Sequence, residues 1–210
     1  GTRWLPPETD VSIRPGWFYH AHEDDKVKTP GQLVDIYFQS VGRSTTLLLN
    51  LPPDRRGLIH EIDAANLCDY RRWIDSAFAH NLAVEAILTA SDTRDTIYSP
   101  ANLAGNDPER CWAAGDGVTR AEICLEFARP VTFSIIQAQE AIQYGQRICA
   151  WHLEAQVDGR WQTVASGTTI GYKRLARFAP VTSGLVRLSV EARTAPPALA
   201  SLGLFDSNGI

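Results

Sequence analysis

The sequence lacks the features that mark a membrane protein, a zinc or redox protein, or a protein that binds nucleic acid. It contains no run of about 18 apolar residues, the length that a helix needs to span a bilayer. Its four cysteines are widely separated, and none belongs to a C-x-x-C pair with metal-ligand spacing. The net charge is −4, so no basic surface is predicted that would attract nucleic acid or an anionic membrane. We therefore expect neither as a partner.

The signatures of several enzyme classes are missing as well. The sequence has no Gly-rich phosphate loop, no metal-binding cluster and no Ser, Cys and His arrangement for nucleophilic catalysis. It also has no internal repeat and no low-complexity tract. With 44% hydrophobic and 21% charged residues, the composition is typical of a globular protein with a real core. A chain of 210 residues can hold one large domain or two modest ones.

The opening motif, residues 4–19, combines carboxylates with aromatic side chains. It reads W-L-P-P-E-T-D-V-S-I-R-P-G-W-F-Y, with Glu8 and Asp10 ahead of a short alternating run and the aromatic residues after a Pro-Gly turn. Aromatic rings stack on the C–H face of a sugar, and a carboxyl group in an apolar pocket can become a proton donor near neutral pH. The motif therefore favours a sugar site. The alternative is a polar loop ahead of a core strand.

The first third of the chain has the pattern strand, helix, strand, helix. After the alternating run, Thr29 is placed to cap a helix that begins with Pro30. The leucine run in 45–50 predicts a strand covered on both faces, and 63–79 predicts a second amphipathic helix. This is the repeat of a (β/α)8 TIM barrel, in which catalytic residues follow the carboxyl ends of the strands. About two of the eight units are present.

After residue 80 the hydrophobic period changes from 3.6 to 2, which predicts an antiparallel β-sandwich. We therefore predict two domains, a part of a barrel over 1–80 and a sandwich over 81–210. The turn V-D-G-R at 157–160 predicts a hairpin. Three tryptophans of this region are predicted to lie in its core: Trp112, Trp151 and Trp161. The predicted strands are 86–89, 121–127, 132–139, 149–157, 160–165 and 185–190.

Several uncommon words of the first third resemble a known family. The opening motif, followed by D-D-K-V-K-T, Y-F-Q-S-V-G-R and L-L-L-N-L-P-P-D-R-R-G-L-I, resembles the later part of the catalytic barrel of the α-L-fucosidases of glycoside hydrolase family 29. The branch it resembles most acts on α-1,3- and α-1,4-linked fucose. The words N-D-P-E-R-C-W, E-A-I-Q-Y-G-Q-R-I and G-T-T-I-G-Y-K-R resemble the discoidin or galactose-binding type of sandwich that follows that barrel.

The resemblance implies a retaining exo-α-L-fucosidase that works through a covalent glycosyl-enzyme intermediate. Such an enzyme needs two carboxyl groups about 5 to 5.5 Å apart. The resemblance implies that the nucleophile is an Asp on an earlier strand, upstream of this sequence, so the 210-residue chain alone is expected to be inactive. Glu8 is the candidate acid/base, although in this branch that residue can also come from a segment upstream of residue 1.

Four further residues are candidates for substrate binding. The resemblance assigns Trp17 to the aromatic wall against the sugar and its C6 methyl group. Asp10 is either a contact to the acceptor sugar or a structural brace near Arg14. His20 can touch the acceptor or can be a silent loop histidine, and Asn50 stands where a barrel strand ends.

The predicted partners follow from this reading. They are a fucosylated oligosaccharide or glycoconjugate and the rest of the catalytic barrel, supplied by an N-terminal part or a second chain. No cofactor is implied, with a structural Ca²⁺ ion in the sandwich left open. A periplasmic or secreted location is expected. The alternative function is a non-catalytic, galactose-type sugar-binding sandwich with a helical N-terminal extension, which would have no reason to carry the opening motif.

Overall fold

A computed structural model describes residues 7–105, 107 and 109–207. The opening motif therefore lies within the described residues only from Pro7 onward, and the N-D-P-E-R-C-W word lacks its residues 106 and 108. The chain divides into two compact units, the first ending at Phe78 and the second beginning at Ala79. The assignment of 1–80 to a catalytic barrel and of 81–210 to a sugar-binding type of domain stays a prediction.

The first unit is built as strand, helix, strand, helix, as predicted for a fragment of a (β/α)8 barrel. Its elements are β1 (Glu8–Ser12), α1 (Pro30–Gln39), β2 (Thr46–Asn50) and α2 (Glu61–Ala77), with a 3-10 turn at Ala21–Lys26. The two strands are parallel neighbours, with Glu8 opposite Thr46 and Ser12 opposite Asn50. The second helix begins two residues earlier than the sequence pattern predicts.

The predicted cap of α1 is confirmed. Thr29 Oγ1 accepts a hydrogen bond from the Gln32 backbone N at 3.3 Å, and Gln32 Oε1 accepts one from the Thr29 backbone N at 2.9 Å. Pro30 occupies the first helical position, where its missing N–H costs nothing. This reciprocal capping box fixes the start of the helix.

The strands β1 and β2 have two different faces. Ile13, Leu49 and Leu51 belong to a core cluster that includes helical residues such as Leu33. The other face carries Leu48, which is 50% exposed, so the expectation of a strand covered on both faces is wrong for the described residues. In a (β/α)8 barrel the helices cover the outside of the strands. The open face of β1 and β2 is therefore the one that corresponds to the barrel interior.

The second unit is an antiparallel β-sandwich, as predicted. Two long strands, β5 and β8, each run through both layers, and the sheet order is β4-β9-β5-β8-β6-β7 with β3 also pairing β5. The strands are β3 (Ala86–Ala90), β4 (Trp112–Ala113), β5 (Arg120–Glu140), β6 (Ile148–Val157), β7 (Arg160–Gly167), β8 (Arg174–Ala192) and β9 (Ala198–Phe205).

The last strand of the sandwich is an inner one. β9 pairs with β4 on one side and β5 on the other. Asn81, at the start of the second unit, is tied to this strand, since its Nδ2 donates to the Leu202 carbonyl at 3.3 Å and its Oδ1 accepts from the Leu204 backbone N at 3.1 Å. The first and last segments of the sandwich are therefore joined directly.

The core of the sandwich contains two of the three predicted tryptophans. Trp112 and Trp151 are buried among the aliphatic residues between the layers. The prediction for Trp161 is wrong. The left-handed Asp158 and Gly159 of the hairpin turn place Trp161 opposite Gln156, on the outer face, where the Arg187 guanidinium lies 4.5 Å from its ring centroid.

Candidate functional site

The loop that follows β1 projects two aromatic side chains at the carboxyl ends of the strands. Ser12 Oγ donates to the Gly16 carbonyl at 2.7 Å, which closes the turn. Asn50 Nδ2, at the end of β2, donates to Ser12 Oγ at 3.0 Å and to the Trp17 carbonyl at 3.1 Å. The turn leaves Trp17 50% exposed and Phe18 76% exposed. Both amide protons of Asn50 thus serve to position the aromatic residues.

A buried arginine, Arg14, anchors this loop to α2 and to the 3-10 turn. The Arg14 side chain is fully buried and makes two hydrogen bonds to the buried Asp63 carboxylate, each 2.8 Å long. It makes a third, of 2.9 Å, to Asp24 in the 3-10 turn. Charged groups taken out of water are stable only when they are paired in this way. Arg14 therefore joins the loop after β1 to the first turn of α2.

Tyr19 completes the network at the end of the loop. The Arg14 guanidinium lies over its ring, 4.6 Å from the centroid, and the His60 ring stacks with it at a centroid distance of 5.8 Å. His60 Nε2 in turn lies 3.6 Å from Asp24 Oδ2. Sequence reasoning missed this network, and it placed Asp10 rather than Asp63 near Arg14 as one alternative. The one local signal is that Asp63 stands in the first turn of a helix, where a carboxylate is favourable.

The loop between β2 and α2 contains a salt bridge between Arg56 and Asp54. Arg56 donates to Asp54 Oδ2 through Nε at 2.9 Å and through Nη2 at 2.6 Å, and it also reaches Glu61 at 2.8 Å. The hydrogen bonds from the Arg56 side chain lower the pKa of Asp54 from 3.8 to about 2. Asp54 is therefore ionised in the fold at any pH well above that value.

Because of this pKa shift, the stability of the first unit depends on pH in the acid range. Because the pKa of Asp54 is depressed in the folded state, its contribution is present above the ordinary carboxyl pKa and is lost as the pH falls towards about 2. We expect Asp54→Asn to lower the melting temperature at neutral pH and to converge with the parent chain in strong acid. Melting curves against pH test this, with Asp75→Asn, an exposed partner of Arg71 on α2, as the control. Parallel curves for parent and Asp54→Asn would contradict it.

The structure brings together only some of the predicted site residues. Asn50 and Trp17 meet at the carboxyl ends of the strands. Glu8 is the first residue of β1, about 13 Å of strand away from its end, while Asp10 lies exposed halfway along. His20 is exposed beyond the loop, with its ring 5.5 Å from that of His22. The roles assigned to all five residues stay predictions.

The described residues hold no group of three or more His, Cys, Asp or Glu side chains that could bind a metal ion. The four cysteines are free thiols, and only Cys68 is exposed. None of the helices in the described part of the chain is long and apolar enough to cross a membrane.

Residues 3–77 match the family model described as α-L-fucosidase. Over 211 residues the chain is 40% identical to "Alpha-L-fucosidase 1" of Arabidopsis thaliana, an alignment that covers 98% of this chain and 41% of the relative. The chain thus spans about two fifths of the length of the curated relatives that it matches.

Solved structures agree with the sequence match. A family 29 fucosidase of Ruminococcus gnavus, determined in complex with fucose, superposes with a TM-score of 0.93 at 32% identity, covering 100% of this chain and 43% of that one. The structure of SpGH29 gives 0.94 at 36% identity, covering 100% and 46%. A chitosan-binding module of Paenibacillus shares the fold over 60% of this chain, with a TM-score of 0.54 at 19% identity. In sequence and in fold, the chain matches the C-terminal part of α-L-fucosidases of glycoside hydrolase family 29.

Proposed function

We propose that this chain supplies the end of the catalytic barrel and the sandwich of an exo-α-L-fucosidase that releases fucose from glycans. The observation that carries the proposal is the loop after β1, in the part of the chain that matches the family. It presents Trp17 and Phe18 to solvent while Asn50 and Arg14 hold its backbone. An exposed aromatic face held rigidly suits the apolar face of a sugar ring and a methyl substituent.

The catalytic carboxyl groups are proposed to come mainly from outside this chain. Glu8 and Asp10 lie two residues apart on one strand, so they share a face but do not flank one glycosidic bond. Catalytic groups of a (β/α)8 barrel gather at the carboxyl ends of its strands, whereas Glu8 stands at the opposite end of β1. We propose retention of configuration, with an Asp nucleophile from a preceding strand.

The rest of the barrel is the proposed structural partner. β1 and β2 pair with each other, and in the described residues each has one edge without a neighbouring strand. Large apolar side chains of the first unit are also exposed, among them Leu48, Leu58, Ile59 and Ile62. Unpaired strand edges and exposed apolar side chains promote aggregation unless other parts of the protein cover them. We also propose a periplasmic or secreted location, where glycoconjugates are displayed.

The test of the function uses the complete protein. We expect it to release fucose faster from Lewis-type trisaccharides, with α-1,3 and α-1,4 linkages, than from α-1,2-linked substrates. This expectation rests on the words P-E-T-D-V-S-I-R-P-G-W-F-Y and S-V-G-R, which resemble that branch. Trp17→Ala should lower kcat/KM by about tenfold or more, because an aromatic anchor of this kind contributes on the order of 2 kcal/mol. Tyr172→Ala, an exposed aromatic residue of the second unit, is the matched control. No fucose release, or equal activity of both variants, overturns the proposal.

Glu8 has its own test. An essential proton donor is needed for poor leaving groups but not for activated aryl fucosides. Because Glu8 lies at the far end of β1, we expect Glu8→Gln to retain activity on both kinds of substrate. Steady-state rates on an aryl fucoside and on a trisaccharide check this. A loss confined to the trisaccharide would instead establish Glu8 as the acid/base.

A further inference from the structure

His60 contacts both loops at the carboxyl ends of the two strands. It ends the loop between β2 and α2, and its side chain is only 18% exposed. Its ring stacks on that of Tyr19 with an angle of 29° between the two planes. Tyr19 comes directly after Trp17 and Phe18, the exposed aromatic residues of the loop after β1. The stack therefore links the two loops beside the candidate sugar site.

The same side chain caps α2. His60 Nδ1 accepts a hydrogen bond from the Ile62 backbone N at 3.3 Å, so this nitrogen carries no proton and the neutral ring has its proton on Nε2. Nε2 lies 3.6 Å from Asp24 Oδ2 and 3.7 Å from Glu61 Oε2. These contacts are made by the edge of the ring, whereas the stack uses its face. The cap therefore fixes the plane on which Tyr19 packs.

The aromatic pair of the loop is held on both sides. On one side, Asn50 Nδ2 donates to the carbonyl of Trp17. On the other, Tyr19 contacts the His60 ring and the Arg14 guanidinium. Because Trp17 is half exposed and its neighbour more so, their positions depend on the backbone that carries them. Without the His60 ring, Tyr19 loses one packing partner and keeps the other, so the expected change is partial.

We propose that His60 is a positioning residue of the sugar site, which acts through Tyr19 on Trp17 and Phe18 and does not itself touch the sugar. The inference rests on the proposed function, since it takes Trp17 as a sugar contact. It assigns two tasks to one side chain. The face of the ring orients the loop after β1, and Nδ1 fixes the start of α2.

Two substitutions in the complete protein separate these tasks. His60→Asn removes the ring but keeps an acceptor, and Asn is among the preferred capping residues. We expect it to raise KM for a fucosylated trisaccharide about three- to tenfold, the effect of one lost aromatic contact, with kcat within about twofold of the parent. His60→Phe keeps the face of the ring and lacks the acceptor. It should restore KM towards the parent value while melting about 2 °C or more below His60→Asn.

A double variant tests whether the effect passes through Tyr19. In a Tyr19→Ala background, His60→Asn should raise KM by less than about twofold, because the stacking contact is already lost. His80→Asn makes the same change at an exposed histidine of the second unit. This control should leave both KM and kcat unchanged.

The outcomes distinguish this inference from the function on which it rests. If Trp17→Ala lowers kcat/KM but His60→Asn leaves KM unchanged, only the positioning role is overturned. The same role is overturned if His60→Asn and His60→Phe raise KM equally, or if the effect of His60→Asn is as large without the Tyr19 ring as with it. If Trp17→Ala leaves kcat/KM unchanged, the proposed function fails and this inference fails with it.

Discussion

Replacing Asp63 by alanine lowers the free energy of unfolding of the first unit by about 3 to 5 kcal/mol, the range for breaking a buried ion pair. The substitution leaves the Arg14 guanidinium fully buried with two of its hydrogen bonds gone. The remaining partner, Asp24, is partly exposed and bonds to a different nitrogen. The cost arises mainly because two N–H donors of a buried guanidinium lose their acceptor and only the bond to Asp24 remains, so it exceeds that of a surface ion pair.

Urea unfolding and amide hydrogen exchange measure this effect. Exchange should accelerate in β1, α1 and α2, while the second unit keeps its protection. Asp75→Ala, which removes an exposed partner of Arg71 on the same helix, should change stability by less than about 1 kcal/mol. The double variant Arg14→Met, Asp63→Leu should recover much of the loss, because a buried pair can often be replaced by apolar residues of similar volume. If the single and double variants are equally unstable, the loss comes from packing instead.

In the second unit, Glu140→Ala lowers the free energy of unfolding by about 3 to 5 kcal/mol, since several backbone N–H groups lose their acceptor at about 1 to 3 kcal/mol each. Glu140 ends β5 and is only 2% exposed. Its Oε1 accepts from the backbone N of Arg147 at 2.7 Å and of Ile148 at 2.9 Å, and its Oε2 accepts from Gly171 N at 2.6 Å. One carboxylate thus fixes the loops before β6 and before β8.

A graded series tests this role. Glu140→Gln should lie between parent and alanine, because the amide oxygen can still accept from one side while its NH₂ group opposes a second N–H donor. Glu126→Ala, on the exposed face of the same strand, is the control and should change stability by about 0.5 kcal/mol or less. Urea unfolding provides the values. If the Glu140→Ala variant is as stable as the control, the two loops do not depend on Glu140 for their stability.

The elements that sequence reasoning predicted are those whose determinants are local. Thr29 and Pro30 start α1, and the V-D-G-R turn at 157–160 closes the β6–β7 hairpin. The β9 strand was missed because it is buried on both faces and shows no alternation. β5 was predicted as two strands because residues 128–130, with Pro130, look like a turn, whereas the chain passes through that point with a register shift.

In the candidate site, too, sequence reasoning identified the residues that have a local signal and missed those that do not. Asn50 was identified because it stands at the end of a strand, and Trp17 because it follows a Pro-Gly turn in words that resemble the family. The Arg14–Asp63 pair spans 49 residues, so no local pattern indicates it. Residues with a signal close by in the sequence could be predicted, whereas residues whose partners are distant in the sequence could not.

The inner position of β9 sets the order of events during protein synthesis. Its partners on both sides, β4 and the second half of β5, leave the ribosome first and have no strand between them until residues 198–205 follow. Contacts that join residues 81 and 204 are among the most distant in the chain, and such contacts form slowly. The sandwich therefore closes only after its last strand has been translated. A chain truncated before Ala198 has an unpaired sheet edge, which exposes it to chaperones and proteases.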